Sequence, residues 1–236
     1  MRIAAFIHTS MLMNNWAHPY RDRYEAGRTL AELLQEYRGR EEVIVLALPR
    51  GGVPVGYEIA RALGVPLDVF IVRKLGVPGH EELAMGATAS GNVTVVNREV
   101  VDELRIPQSE LQRVQAREAK EIARRESLYR DSRPRPGIEG KTVILVDDGL
   151  ATGSTMRAAI EAVRKRNPKQ VIMAVPAASE ETCNAFRKEA DDVICAITPD
   201  PFVAVGLWYE DFSPTTDEEV RELLNKAAEE EPVHHR

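Results

Sequence analysis

Asp147 and Asp148 stand side by side after four apolar residues, Val143-Ile144-Leu145-Val146, and are followed by Gly149-Leu150-Ala151-Thr152-Gly153-Ser154-Thr155. Two adjacent carboxylates repel a shared anion, so their partners must bring donors or positive charge: a ribose diol or a hydrated Mg²⁺. The small-residue loop has the opposite preference. Its backbone N–H groups can converge on an anion, the hydroxyls of Thr152, Ser154 and Thr155 add donors, and a helix starting there directs its positive end at the same point. Phosphate on one side and a diol on the other describe a ribose 5-phosphate.

The elements around these residues can be read from their patterns. An unbroken apolar run suits a strand buried on both faces of a parallel sheet, and Met156, Ile160 and Val163 mark one face of a following helix. A second unit of the same kind precedes it: the strand Val43–Leu48, the turn Pro49-Arg50-Gly51-Gly52, and a helix over Val53–Leu63. Arg50 then lies at the carboxyl end of its strand, the ligand edge of an open parallel sheet. A third strand spans Pro66–Val72. Arg73 to Glu82 follows, with too much Gly and Pro for a regular element yet with Arg73, Lys74, His80, Glu81 and Glu82 all ionisable, and reads as a mobile functional loop. Val93 to Val96 reads as the return arm of a hairpin, Glu99–Leu104 as a short helix, and Pro107 opens a long charged helix reaching Tyr129. Gln170–Val175 and Asp192–Ala196 are further strands, with a helix over Glu180–Lys188 between them. Near the start, Tyr20–Glu36 has helical periodicity, with Arg21, Arg23, Glu25, Arg28 and Glu32 placed on a solvated face in preference to the alternative that the arginines face a phosphate. Strand and helix alternate, which predicts an α/β fold with a doubly wound parallel sheet.

The 236 residues predict a single domain, and a hydrophobic share of 44% with a charged share of 29% is ordinary for a globular protein. No apolar run is long enough to span a bilayer, and the opening Arg2–Met13 makes a poor signal peptide, which predicts a cytoplasmic protein. Met13 is an alternative start. A net charge of −6 argues against general nucleic-acid binding. Cys183 and Cys195 are read as buried thiols rather than a disulfide, and they are too few for a structural zinc site.

The stretch from Val143 to Thr155 resembles the phosphoribosyl-pyrophosphate (PRPP) motif of the type I phosphoribosyltransferases: an apolar strand, two acids, three residues, then Thr-Gly-x-Thr. The likeness extends from Tyr20 to Tyr209 and is nearest to bacterial and archaeal members of the family without an assigned acceptor. It implies a sheet core over about 40–198, a small hood lobe from about 14–38 and 199–225, and a frayed tail over 226–236. It also implies a reaction: a nitrogenous base displaces pyrophosphate from PRPP, with Mg²⁺ as cofactor, in a homodimer.

In that resemblance Asp147 and Asp148 bind the ribose and the metal, directly or through water, and Ala151, Thr152, Gly153, Ser154 and Thr155 bind the 5-phosphate. Arg50, Gly51 and Gly52 match the pyrophosphate loop, where the family often has a cis peptide, here falling at Pro49–Arg50. Arg73 and Lys74 match the entry to a flexible catalytic loop, with Glu81 and Glu82 as acid or base candidates. Phe202, Val203 and Trp208 fall where the family binds the base, by stacking worth ~1–3 kcal/mol. One departure matters: the 6-oxopurine enzymes carry a third Asp where this chain has Ala151, which cannot move a proton. The pattern is nearer to adenine and uracil enzymes and leaves the acceptor open, purine or pyrimidine. A regulator that senses PRPP or a nucleotide without turnover is the alternative.

Overall fold

The computed structural model describes residues 19–130 and 133–230. Five strands form one parallel sheet: β1 (Val43–Ala47), β2 (Leu67–Val69), β6 (Thr142–Val146), β7 (Gln170–Ala177) and β8 (Asp192–Ile197), in the order β2-β1-β6-β7-β8. Every residue of β1 and β6 is buried, as continuous apolar runs require. Their alternate residues feed two cores. Val43, Val45, Ala47, Ile144 and Val146 pack with α1 (Arg23–Leu33), α2 (Gly52–Leu63) and α7 (Asp217–Glu230). Ile44, Leu46, Val143 and Leu145 pack on the other side with α5 (Ser154–Arg164) and α6 (Glu180–Phe186). The sheet is doubly wound, as predicted.

This order places the site. From β1 the chain winds outward to β2, and from β6 it winds the other way through β7 to β8, so β1 and β6 are neighbours at the switch point. The helices that follow their loops therefore go to opposite faces of the sheet, and the carboxyl ends of β1 and β6 are the ligand edge of such a sheet.

The stretch from Arg73 to Glu82 departs from expectation. It is not a loop: β3 (Val72–Val77) and β4 (His80–Ala89) form a hairpin that continues into β5 (Val93–Val96), in a second, antiparallel sheet ordered β3-β4-β5. This sheet packs between α5 and α4 (Gln108–Arg130), while the short α3 (Arg98–Glu103) leans on β4. Pro78 and Gly79 make a tight turn, with Gly79 at φ 81°, so the residues that argued against a regular element serve only to reverse it. The expected strand over Pro66–Val72 is accordingly divided, ending as β2 in one sheet and restarting as β3 in the other.

Two further expectations give way. Cys183 of α6 and Cys195 of β8 are joined in a disulfide, not separate thiols, because α6 folds straight back onto β8 and brings positions 12 apart into contact. The C-terminal part expected as hood and frayed tail contains α7, which docks on α2, α4 and β2 as part of the main body. Residues 231–236 of that tail lie outside the described residues, as do 14–18 of the expected hood, the opening stretch and the alternative start at Met13. Among the described residues no helix is long and apolar enough to cross a membrane.

Helix α7 is fastened by polar contacts as well as by buried Val220, Leu223 and Leu224. The Thr216 hydroxyl accepts from the Glu219 N–H at 3.1 Å, and three acids fill the first turn, where the helix dipole favours them. Tyrosine hydroxyls from three other helices or their flanks donate to its carboxylates: Tyr129 to Asp217 at 2.6 Å, Tyr24 to Glu219 at 2.8 Å, and Tyr57 to Glu230 at 3.2 Å. Tyr129 is fully buried, and its hydroxyl pKa is pushed up to about 12 by burial and then by Asp217. Replacing it as Tyr129→Phe keeps the ring and removes one charge-assisted hydrogen bond, so the urea midpoint should fall by the equivalent of about 1–2 kcal/mol. An unchanged midpoint would show that α7 does not depend on this bond.

Candidate active site

Asp147 and Asp148 begin where β6 ends, and the Asp148 N–H donates to Asp147 Oδ1 at 2.9 Å. Across the crevice the turn after β1 lies directly on them. A Cβ on Gly52 would come within 2.8 Å of the Val146 carbonyl oxygen and 3.0 Å of Asp147 Cα, and one on Gly51 would overlap the Asp148 carboxylate. The two glycines are therefore required by close approach to the acids, whatever ligand they also meet. The Pro49–Arg50 peptide is cis, at the position the family resemblance indicated. The Arg50 guanidinium is half-exposed and lies 3.8 Å from the Asp217 carboxylate at the start of α7.

The loop from Gly149 to Thr155 is anchored from behind. The Leu150 N–H donates to the Ala177 carbonyl at 3.0 Å, and Gly153, at φ 69°, sits against the Phe186 ring where a Cβ would clash. Gly153 immediately precedes α5, whose first turn has no side-chain cap. Its leading N–H groups and the exposed Thr152, Ser154 and Thr155 are available to an anion. The Thr152 and Ser154 hydroxyls are 3.4 Å apart, and Ala151 is exposed beside them.

Sequence reasoning missed the most connected residue of the site. Arg23, expected on a solvated face, is only 9% exposed. Its Nε donates to Asp148 Oδ2 at 2.8 Å, its Nη1 donates to the Ser213 carbonyl at 2.8 Å, and its guanidinium lies 4.1 Å from the Phe212 ring centroid. Tyr209 completes the cluster by donating to the Asp148 carbonyl at 2.6 Å and stacking on Phe212. Burial, and then Asp148, hold the Tyr209 hydroxyl protonated well above its ordinary range. Tyr20 pairs with this segment through Tyr20 N–H to the Trp208 carbonyl at 2.9 Å and Glu210 N–H to the Tyr20 carbonyl at 2.8 Å. The partners of Arg23 lie 125 and 190 residues away in the chain, so helical periodicity alone could not reveal them.

Other expected site residues are placed differently. Phe202 and Trp208 are half-buried and Val203 is 73% exposed, while the side chain that reaches the Gly149 backbone is Val205. Trp208 Nε1 is buried without a partner among the described residues. Arg73 pairs with the buried Glu118 of α4, at 2.8 Å from Nε and 2.7 Å from Nη2, and Lys74 donates to the Glu82 carbonyl at 3.2 Å. Glu81 and Glu82 are exposed on β4. Among the described residues no hydrogen bond or ion pair joins these four to Asp147, Asp148 or Arg50.

No group of three or more His, Cys, Asp or Glu side chains is arranged to hold a metal among the described residues. The acidic pair nevertheless fits Mg²⁺, which is typically held by one or two carboxylates and completes its octahedron with water and substrate oxygens.

The molecule is an α/β protein with paired acids and an uncapped helix start at the switch point of its doubly wound sheet. Residues 20–210 match the family model described as the phosphoribosyl transferase domain, and the chain belongs to that family. A Mycobacterium tuberculosis protein provisionally named a phosphoribosyl transferase is 41% identical over 206 residues, which are 87% of this chain and 46% of that protein. The chain thus spans about half the length of the curated relatives it matches. The crystal structure of TT1426 from Thermus thermophilus superposes with a TM-score of 0.79 at 42% identity, over 88% of this chain and 98% of that one. The bifunctional protein PyrR of Clostridium acetobutylicum is 28% identical over 149 residues, 63% of this chain and 64% of that protein.

The acids carry an electrostatic cost. Burial, and then the neighbouring Asp148 carboxylate, raise the Asp147 pKa well above its ordinary value. A carboxyl shifted in this direction contributes stability that is complete below the unfolded value of about 3.9 and is lost as pH rises through the folded value. As pH rises above about 4, the native chain should therefore lose stability relative to Asp147→Asn. Urea midpoints of the two proteins over that rise test this, and a pH-independent difference would contradict it.

Proposed function

We propose that the protein transfers the 5-phosphoribosyl group of PRPP to a nitrogenous base and releases pyrophosphate. The observation that carries this reading is the packing of the Arg50-Gly51-Gly52 turn onto Asp147 and Asp148, with the uncapped start of α5 opening beside the same acids. In this reading Asp147 and Asp148 accept hydrogen bonds from the ribose hydroxyls, and the loop from Ala151 to Thr155 grips the 5-phosphate. Bound Mg²⁺ would supply positive charge to the pyrophosphate oxygens and the acids. Arg50 holds the pyrophosphate as it departs. The bond from the anomeric carbon to pyrophosphate breaks with its electron pair leaving on oxygen, and a bond to the acceptor nitrogen forms. The positive character that develops on the sugar is met by the nearby carboxylates.

The acceptor nitrogen must lose a proton, and Ala151 cannot take it. We assign that role to Glu81 or Glu82, with Arg73 and Lys74 serving the pyrophosphate side, and the base to the surface around Phe202, Val203 and Trp208. A homodimer in the cytoplasm completes the reading. The Cys183–Cys195 disulfide stands against that location, since cytosolic thiols are kept reduced in most organisms.

A second reading, a PRPP or nucleotide sensor without turnover, is favoured by one observation. Arg73 is paired with Glu118, and among the described residues no hydrogen bond or ion pair joins Glu81 or Glu82 to Asp147 or Asp148. A pyrophosphate-release assay with PRPP, Mg²⁺ and a panel of purines and pyrimidines separates the two. Turnover with one base, reduced about 100-fold or more in Asp147→Asn or Asp148→Asn, supports the transferase. PRPP binding in calorimetry without release across the panel supports the sensor. If neither PRPP nor a nucleoside 5′-phosphate binds, both fail.

A further inference from the structure

The carboxylate of Asp148 is held in place before any ligand arrives. Its Oδ2 accepts from Arg23 Nε at 2.8 Å and lies against the Gly51 backbone, and both side chains of the ion pair are largely buried, at 10% and 17% exposure. Among the described residues no hydrogen bond reaches its other oxygen, Oδ1. The guanidinium is also occupied at a second nitrogen and on its face, by the Ser213 carbonyl at 2.8 Å and by the Phe212 ring at 4.1 Å. The Nε–H and Nη1–H bonds of a rigid, planar guanidinium point in different directions, so one side chain can hold an acid and a remote backbone carbonyl together. A lysine ammonium could neutralise Asp148, but it lacks the flat face and the fixed fork.

We propose that Arg23 is a positioning residue that acts through Asp148. It retains Oδ2, so that Oδ1 is presented to the ribose hydroxyls of PRPP, and it ties this orientation to the segment Tyr209–Ser213. The ribose side of the crevice and the segment bordering it are thereby set by a single cation. Glu25, Asp147 and Asp211 are the other acids near this cluster, but none forms an ion pair with Arg23 among the described residues. The inference rests on reading Asp147 and Asp148 as ribose ligands.

A purely architectural arginine would lower stability without caring which residue occupies position 148, so ligand affinity in a double-mutant cycle is the discriminating readout. The PRPP dissociation constant, with Mg²⁺ present, is measured by calorimetry for the native chain, Arg23→Gln, Arg23→Lys, Asp148→Asn and the Arg23→Gln/Asp148→Asn double variant. The expected result is about tenfold or greater weakening in Arg23→Gln, a smaller loss in Arg23→Lys, and a double variant within about twofold of Asp148→Asn alone. Thermal melts establish which variants fold. If Arg23→Gln does not, the same cycle is run with Arg23→Lys, whose retained charge protects the buried acid. Native-like PRPP affinity in the Arg23 variants overturns the inference while leaving the transferase reading intact. So does a double variant whose loss is the product of the two single losses. A native chain that binds no PRPP defeats the transferase reading first, and this inference falls with it.

Discussion

The contact between Gly51-Gly52 and Asp147-Asp148 is the constraint on which the rest of the site depends. Adjacent parallel strands lie about 4.8 Å apart, so the loops that leave β1 and β6 start almost in contact. Two Cβ-free residues are needed for one loop to cross the other's carboxylates. The fold makes this the natural place for a ligand, because the helices that follow, α2 and α5, go to opposite faces of the sheet and leave the crevice open. A larger side chain at Gly51 would have to displace Asp148 itself, and through it Arg23.

That contact concentrates negative charge where water is scarce, and the surroundings compensate only in part. Arg23 neutralises one acid from within the protein, and Arg50 leans instead toward Asp217. Asp147 has no cationic partner of its own among the described residues, which agrees with its raised pKa. A site left short of positive charge favours any group that brings it or that donates hydrogen bonds. The α5 start is likewise left without a side-chain cap, so its leading N–H groups have no internal partner of that kind.

Local signals in the sequence identified the elements that form the crevice. Continuous apolar runs predicted β1 and β6, the residues after each predicted the two loops, and the strand-helix alternation predicted the winding, because each signal resides within a dozen residues. What escaped was long-range or masked by turn chemistry. Arg23 looks like any exposed arginine on an amphipathic helix, and only the docking of 209–213 gives it a role. The disulfide depends on how α6 folds back on β8, which spacing does not state. Gly76, Pro78 and Gly79 suggested a loop but belong to a bulged hairpin. Helix α7 did leave a signal: Thr216 three residues before Glu219, a run of acids, then Val220, Leu223 and Leu224 at helical spacing, a capping pattern that was legible and was not used.

The hairpin also settles how Arg73 and Lys74 can differ. Successive side chains on a strand point to opposite faces, so Arg73 and Lys74 of β3 project from opposite sides of the second sheet. Arg73 faces α4 and meets Glu118, a buried carboxylate that Arg117 also contacts, at 2.8 Å from its Nε. Lys74, on the other face, is exposed and holds only the Glu82 carbonyl. The paired basic residues that look equivalent in the sequence therefore differ in the fold: Arg73 ties the second sheet to α4, and Lys74 is exposed and holds a single backbone carbonyl.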